Sequence, residues 1–424
     1  MRTARILGAA PAFLAWCVVA ACGSSTAATG SPDASPEGSP SPDGHVDAKG
    51  SSGSHRDAGG GTVDARADTR PHAGDTGVDT GGSPGTDAGP EASADTGSDT
   101  GPSPTTCAGF NVVGGIFQTS EPWNTAVDQD LVSSSSPTII NWLSTNGGWG
   151  NGNKLQIDFS INILCADATT PLMPFTLAGG SCSPDCDSAT TFPVPAGGAV
   201  EGETGYACNG GGDCHLLVVD RATAKLWEMY QAFDPPSATT FNTQTGAYIW
   251  DLTKAYPPNL RGDGCTSADA GGFPIAAMLF TADEVAAGHI DHAIRFILPN
   301  ARIEGGGVYV HPASHTTTAP GGASGATSAP PYGVHFRLKS TFDLTQLPAG
   351  AQVVAKAMQK YGMLLADGGN IALTAANDQF TTAKWTDANV NVGSQDLFPI
   401  QVTDFEVVDL GTLVTTGDNC IRNP

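Results

Sequence analysis

Leu155, Ile157, Phe159, Ile161 and Ile163 occupy alternate positions, and a strict period of two over that length predicts a strand with one buried face. Short apolar or alternating runs at 247–252, 308–311, 333–339, 363–366, 370–374 and 405–408 predict six more strands. His215–Asp220 and Ala224–Tyr230 flank Arg221-Ala-Thr223 as a hairpin. Ile290, His292, Ile294 and Phe296 alternate with Asp291, Ala293, Arg295 and Ile297, which predicts a strand carrying His292 on its more apolar face. Helical periodicity is rarer. Val354, Met358 and Tyr361, with Val353 and Ala357, recur at three and four residues and stop at Gly362, predicting one longer helix. Ser136-Pro137 opens a short helix to Leu143, with Pro at the first helical position. Thr281-Ala-Asp-Glu284 has capping-box spacing and starts another helix that ends at Gly288.

Many short strands, few helices, 54 Gly, 30 Pro and only 14% charged residues predict a mainly β domain over 107–424. The expected architecture is a single disulfide-braced β-sandwich or jelly-roll-like domain with a few short helices. Residues 22–106 are different in kind. They consist largely of Gly, Ser, Thr, Pro, Asp and Ala, contain no aromatic side chain, and cannot bury enough apolar surface to fold. Thirteen acids against four bases give this stretch a net charge of −9, so it reads as a disordered, self-repelling tether. A chain of that length spans roughly 50 Å on average. Its repeated Asp-Thr-Gly, at Asp75, Asp79, Asp95 and Asp99, lacks the spacing of a calcium loop.

Ahead of the tether, Arg2 and Arg5 precede an apolar run from Ile6 to Ala21, the composition of an export signal over 1–21. Val19-Ala20-Ala21-Cys22 resembles the lipobox of bacterial lipoproteins, which implies that Cys22 carries lipid and anchors the chain to the bacterial envelope. Gly23 resembles the pattern of lipoproteins sent on to the outer membrane or cell surface. Eight further cysteines, at 107, 165, 182, 186, 208, 214, 265 and 420, form an even set suited to four disulfides in an oxidising compartment. Their pairing is not readable from sequence, and Cys182-x-x-x-Cys186 and Cys208 to Cys214 depart from zinc-knuckle spacing. Outside signal and tether the chain holds 29 acids and 13 bases, a net of −16. That balance argues against nucleic acid and anionic lipid as partners, leaving the Cys22 anchor as the expected membrane contact.

The densest chemistry lies between Gly262 and Phe296. Asp263 and Asp269 fall in a Gly-, Ser- and Thr-rich turn segment. Asp269, followed by Gly271-Gly272 and braced by Cys265, is placed to act as acid, base or ligand contact, or alternatively to cap its loop. Asp367, at a strand edge before Gly368-Gly369, has the same two readings. Asp213, His215, Asp220 and Glu228 lie on the predicted hairpin. Asp213 and His215, two residues apart, would share a face as an oriented general base, or Asp213 would cap a turn. Glu228, between Trp227 and Met229, has the surroundings of a carboxyl with a raised pKa, or else faces water or an arginine. His289-x-x-His292 and His311-x-x-x-His315 lack the His-Glu-x-x-His form, so His292 reads as a core or site-wall histidine and no metal is expected. Dinucleotide, P-loop, nucleophile-elbow and kinase signatures are missing from the sequence, and no cofactor is expected. Trp142, Trp149, Trp227, Trp250, Trp385, Tyr206, Tyr248 and Tyr332 are aromatic platforms for sugar rings or core anchors.

GGDCHLLVVDRATAKLWEMYQAF, GCTSADAGGFPI, IDHAIRF, YVHPASH, PPYGVHFRLK and KAMQKYGMLLADGG, in this order, resemble a family of secreted or lipid-anchored bacterial proteins. The resemblance covers most of the domain, implies an extracytoplasmic location and brings no activity with it. Where the family pattern continues as Asp-Asn-Gly-Ser, this chain has Asp367-Gly368-Gly369-Asn370, so no Asn directly follows Asp367. Compartment, β-rich architecture and loop carboxylates together give a first expectation of a carbohydrate-active domain, a glycoside hydrolase or polysaccharide lyase acting on poly- or oligosaccharide. A non-catalytic glycan-binding or envelope-structural lipoprotein is the second reading, and a metal-dependent hydrolase on His215, His292 and His315 the third.

Overall fold

A computed structural model describes residues 107–178, 182–210, 212–233, 240–317, 328–408, 411–415 and 419–423. The export signal over 1–21, Cys22, the tether over 22–106 and most of the Gly/Ser/Ala/Pro loop over 320–331 lie outside the described residues. In chain order the strands are β1 (Ile157–Ile161), β2 (Ile163–Ala166), β3 (Leu172–Leu177), β4 (Thr191–Pro193), β5 (Leu216–Asp220), β6 (Lys225–Met229), β7 (Ala232–Phe233) and β8 (Phe241–Thr243). Then follow β9 (Ala247–Asp251), β10 (Ile294–Leu298), β11 (Val308–Val310), β12 (His335–Leu338), β13 (Met363–Gly368), β14 (Leu373–Ala376), β15 (Phe405–Val407) and β16 (Leu413–Thr415). Helices are few: α1 (Ser136–Thr145), α2 (Gly150–Asn153), α3 (Ala282–Ala287) and α4 (Ala349–Lys360). The domain is mainly β, with few short helices and four disulfides.

The largest sheet has the order β1-β14-β10-β13-β12-β15, with β1/β14 and β10/β13 parallel and the other neighbours antiparallel. A four-stranded sheet, β2-β5-β6-β9, lies between two cores. Leu217, Val219, Leu226, Tyr248 and Trp250 pack into the core of the six-stranded sheet, whereas Leu216, Val218, Met229 and Ala247 pack on Phe175 and Phe192 in a second core. Burial on both faces explains why β5 reads as a continuous apolar run, Leu216-Leu-Val-Val, rather than an alternating one. The sheet β4-β3-β8-β7 covers the outer side, and β11 pairs with β16.

The alternation over 155–163 forms two strands. β1 belongs to the six-stranded sheet, the chain bends at Asn162, and β2 continues in the four-stranded one, so one stretch of chain stitches the layers together. The hairpin forms as expected, with Leu217 opposite Glu228 and Asp220 opposite Lys225. In α3 both halves of the capping box are present, and Gly288 ends the helix at φ +84°. The strand expected over 290–296 begins later, at Ile294, so His292 precedes it. All eight expected cysteines pair, as Cys107–Cys165, Cys182–Cys186, Cys208–Cys214 and Cys265–Cys420.

Candidate active site

Strand β10 is apolar except for Arg295, and Arg295 is the residue its neighbours converge upon. Antiparallel pairing of Phe296 with Leu373 sets Thr374 beside Arg295, and the parallel pairing of Asp158 with Thr374 adds Asp158 to the same face. On the other side the β10/β13 register runs Arg295 to Leu364, Phe296 to Leu365, then Ile297 to Asp367, so Ala366 is an extra residue. A bulge of this kind re-aims the side chain that follows it, and here it turns Asp367 onto the face of Arg295. The Ala366 carbonyl, freed from the ladder, accepts the Gly271 N–H at 2.7 Å. A Cβ on Gly271 would lie 2.9 Å from that carbonyl oxygen, so the glycine allows the loop to lie against the bulge. The Asp269 loop is thereby fixed to β13.

Arg295 donates through Nε to Asp269 Oδ2 at 3.1 Å and through Nη2 to Asp269 Oδ1 at 2.9 Å. The same Nη2 donates to Asp367 Oδ2 at 2.9 Å, and Nη1 to Thr374 Oγ1 at 2.7 Å. One guanidinium nitrogen therefore bridges two carboxyls, whose oxygens are no farther apart than twice 2.9 Å. Asp269 is fully buried, while the Asp367 side chain is 24% exposed. Burial, reinforced by the Asp269 charge and opposed by Arg295, raises Asp367 to about 7. For Arg295, burial disfavours the charge, but Asp269 and Asp367 outweigh it and raise the pKa.

The facing layer contributes His215 and Glu201. His215 Nδ1 lies 2.7 Å from Glu201 Oε2 and Nε2 lies 3.1 Å from the Ala268 carbonyl, the residue before Asp269. Both ring nitrogens face acceptors, so both carry protons. Burial opposes that charge, yet Glu201 outweighs burial and lifts His215 to about 9. Burial likewise acts to raise Glu201, but His215 overrides it and holds the carboxylate at about 2. Glu201 is 16% exposed and accepts the Ser160 hydroxyl at 3.1 Å, which ties it to the strand that bears Asp158. Burial raises Asp158 as well. Behind these, fully buried Glu228 accepts Trp250 Nε1 at 3.1 Å and the Ala276 N–H at 3.0 Å. Lacking a paired cation, it is raised by burial to about 8.

Of the residues singled out in the sequence, Asp269, His215 and Asp367 come together, with Glu228 in the layer behind. Asp269 is fully buried and both its carboxylate oxygens accept from Arg295, and both ring nitrogens of buried His215 face acceptors, Glu201 and the Ala268 carbonyl. Asp213 does not share a strand with His215, because Cys214 at φ +46° breaks the alternation; its carboxylate lies 3.5 Å from the Tyr230 hydroxyl, at the edge of the cluster. Asp220, five residues along the hairpin and about 17 Å from His215, accepts the Ala222 and Thr223 N–H groups and the Thr223 hydroxyl, which makes it a turn cap. His292 pairs with Glu284 and the Ala293 carbonyl inside the core. Among the described residues no three His, Cys, Asp or Glu side chains converge as metal ligands, and His315 instead meets the Ala270 carbonyl. Trp149, Trp250, Trp385, Tyr248 and Tyr332 are buried anchors; Trp142, Trp227 and Tyr206 are only partly covered. Sequence reasoning missed Arg295, Glu201, Asp158 and Thr374. The signal for Arg295 was a lone cation in an apolar strand, and for Asp158 an acid in the alternating strand. Comparison with protein-family models, with curated proteins and with solved structures finds no match for this chain.

Proposed function

We propose that the domain is a glycoside hydrolase acting on uncharged glycan chains, with Asp367 as the general acid and Glu201 as the ionised carboxylate opposite it. The observation that carries this reading is a pair of partly exposed carboxyls with different partners, Asp367 on the buried Arg295–Asp269 pair and Glu201 on the buried His215. Asp367 keeps its proton to about pH 7 and Glu201 loses its own at about pH 2. Glycosidic cleavage needs such a pair, one carboxyl to protonate the leaving oxygen and one anion to activate water or stabilise the oxocarbenium-like transition state. Asp269 and Arg295 position Asp367, and His215 positions Glu201.

Substrate charge follows from the same groups. Arg295 turns its donors to Asp269, Asp367 and Thr374, so the ionised carboxylate that keeps some exposure in this cluster is Glu201. Polyuronates would be repelled, which favours hydrolysis of neutral chains over lyase chemistry. In this reading the Cys22 lipid and the acidic tether carry the domain on the outside of the envelope. A glycan-binding groove without catalysis is the second reading, favoured by the full burial of Asp269 within the ion network. Incubating the chain with a panel of neutral and uronate polysaccharides, and measuring new reducing ends, separates the readings. Release from a neutral glycan that Asp367→Asn lowers at least a hundredfold supports hydrolysis; binding with no release supports the second reading.

A further inference from the structure

A groove of about 320 Å³ opens along the free side of β2, and none of the residues of the acid–base cluster lines it. Phe110 and Phe380 line it together with the edge of β2 at Ile163–Cys165, the Pro195–Gly198 turn and the hydroxyl-bearing Thr381 and Thr382. A smaller cavity sharing Phe110, Ile163, Phe380 and Thr381 extends it to Ala376–Asn377 at the end of β14 and to the carboxylate-bearing Asp283. Each wall is independently fixed. Asp283 accepts the Thr382 and Ala383 N–H groups, at 3.2 and 2.7 Å, and so pins the segment after Phe380. The Tyr206 hydroxyl donates to the Pro195 carbonyl at 2.5 Å, and the Cys107–Cys165 disulfide ties the first described residue to β2. The space is preformed, and its volume is that of a small-ligand site.

We propose that this groove is an accessory binding site for an uncharged glycan segment, separate from the acid–base cluster. No charged side chain lines the larger cavity, in a domain of net charge −16, so a charged ligand would lose its hydration there without gaining a partner. Phe380 offers an apolar ring for sugar C–H groups, Phe110 packs beside it with the Arg221 guanidinium over its ring at 5.6 Å, and threonine hydroxyls and strand-edge backbone offer hydrogen bonds to sugar hydroxyls. The groove is continuous with the site along the chain: β1 carries Asp158 and, past the bend at Asn162, β2 lines the groove, while Glu201 follows the Gly198 wall by three residues. A glycan reaching both would be held at a distance from the bond that is cut. Naming the ligand a glycan rests on the hydrolase reading; the existence of a site for a small uncharged ligand does not.

The test is calorimetric titration of the full chain with neutral β-1,4-linked gluco-, xylo- and manno-oligosaccharides of two to six units, beside uronate oligomers. Phe380→Ala removes one wall, and Thr382→Trp fills the groove from an exposed position without removing core packing. The proposal expects binding of at least one neutral series, little binding of the uronates, and at least a tenfold loss in whichever variant stays folded. If hydrolysis is present and both variants bind like the parent chain, the groove is overturned and the hydrolase reading stands. Binding that both variants lose, in a chain that cleaves nothing, keeps the groove and overturns the hydrolase. Saturation by no neutral oligosaccharide at millimolar concentration overturns the proposal.

Discussion

Glu228→Gln isolates the charge of one carboxyl buried between the sheets. Folding raises Glu228 from 4.5 to about 8, so the folded chain holds this proton more tightly than the unfolded one. The associated stability is fully present below pH 4.5 and is lost as pH rises towards 8. At about 1.4 kcal/mol per pH unit the interval corresponds to about 5 kcal/mol, a ceiling that relaxation around the ionised group lowers to roughly 2–3 kcal/mol. Glutamine accepts only one of the two N–H donors, Trp250 Nε1 and the Ala276 amide, and presents its own NH2 to the other. That mismatch costs about 1–2 kcal/mol at every pH. The variant is therefore expected to be less stable than the parent chain at pH 4.5 and as stable or more stable at pH 9. Urea unfolding at the two pH values, with the non-reduced protein, measures the difference directly. A stability difference between variant and parent that is the same at both pH values would refute the assignment of a buried proton to Glu228.

Asp269→Asn removes one partner of the buried Arg295 pair and is expected to cost about 3–5 kcal/mol in thermal or urea unfolding. A loss below 1 kcal/mol would return Asp269 from scaffold to site. Asp220→Ala deletes three hydrogen bonds of the hairpin turn and should lower stability by about 1–2 kcal/mol while leaving glycan turnover per folded molecule unchanged. Cys22→Ser should move the protein out of the membrane fraction, and unchanged fractionation contradicts the lipid anchor. Mass spectrometry after alkylation without reductant should find no free thiol among the eight domain cysteines; two alkylated thiols contradict the pairing.

The parts of this fold that sequence revealed are those whose physics is local. The capping box at Thr281, the stop at Gly288 and the hairpin at Asp220 depend on residues within a few positions of one another. The strands β3, β4, β7, β8 and β16 were not legible, because they are two to six residues long and β3 is interrupted by Pro174. The split of 155–163 at Asn162 was invisible for a different reason: alternation marks which side chains are buried but not which sheet buries them. Asp269 and Asp367 stood out in the sequence as acids near glycines, and His215 by its spacing from Asp213. Arg295 and Glu201 complete the site only through pairings more than ten residues apart, and a bulge at Ala366 decides which way Asp367 points. Such a register is set by the assembled sheet.

The pH dependence of kcat/KM for hydrolysis of a neutral glycan, measured for the parent chain and for Glu201→Gln, tests the acid–base pair most directly. The account predicts activity that persists at low pH as far as the fold survives, because Glu201 stays ionised to about 2, and that falls tenfold per unit above pH 7 as Asp367 loses its proton. Glu201→Gln should reduce kcat/KM by at least a hundredfold and keep the alkaline limb near 7. An alkaline limb absent up to pH 9, or a Glu201→Gln chain as active as the parent, would contradict it.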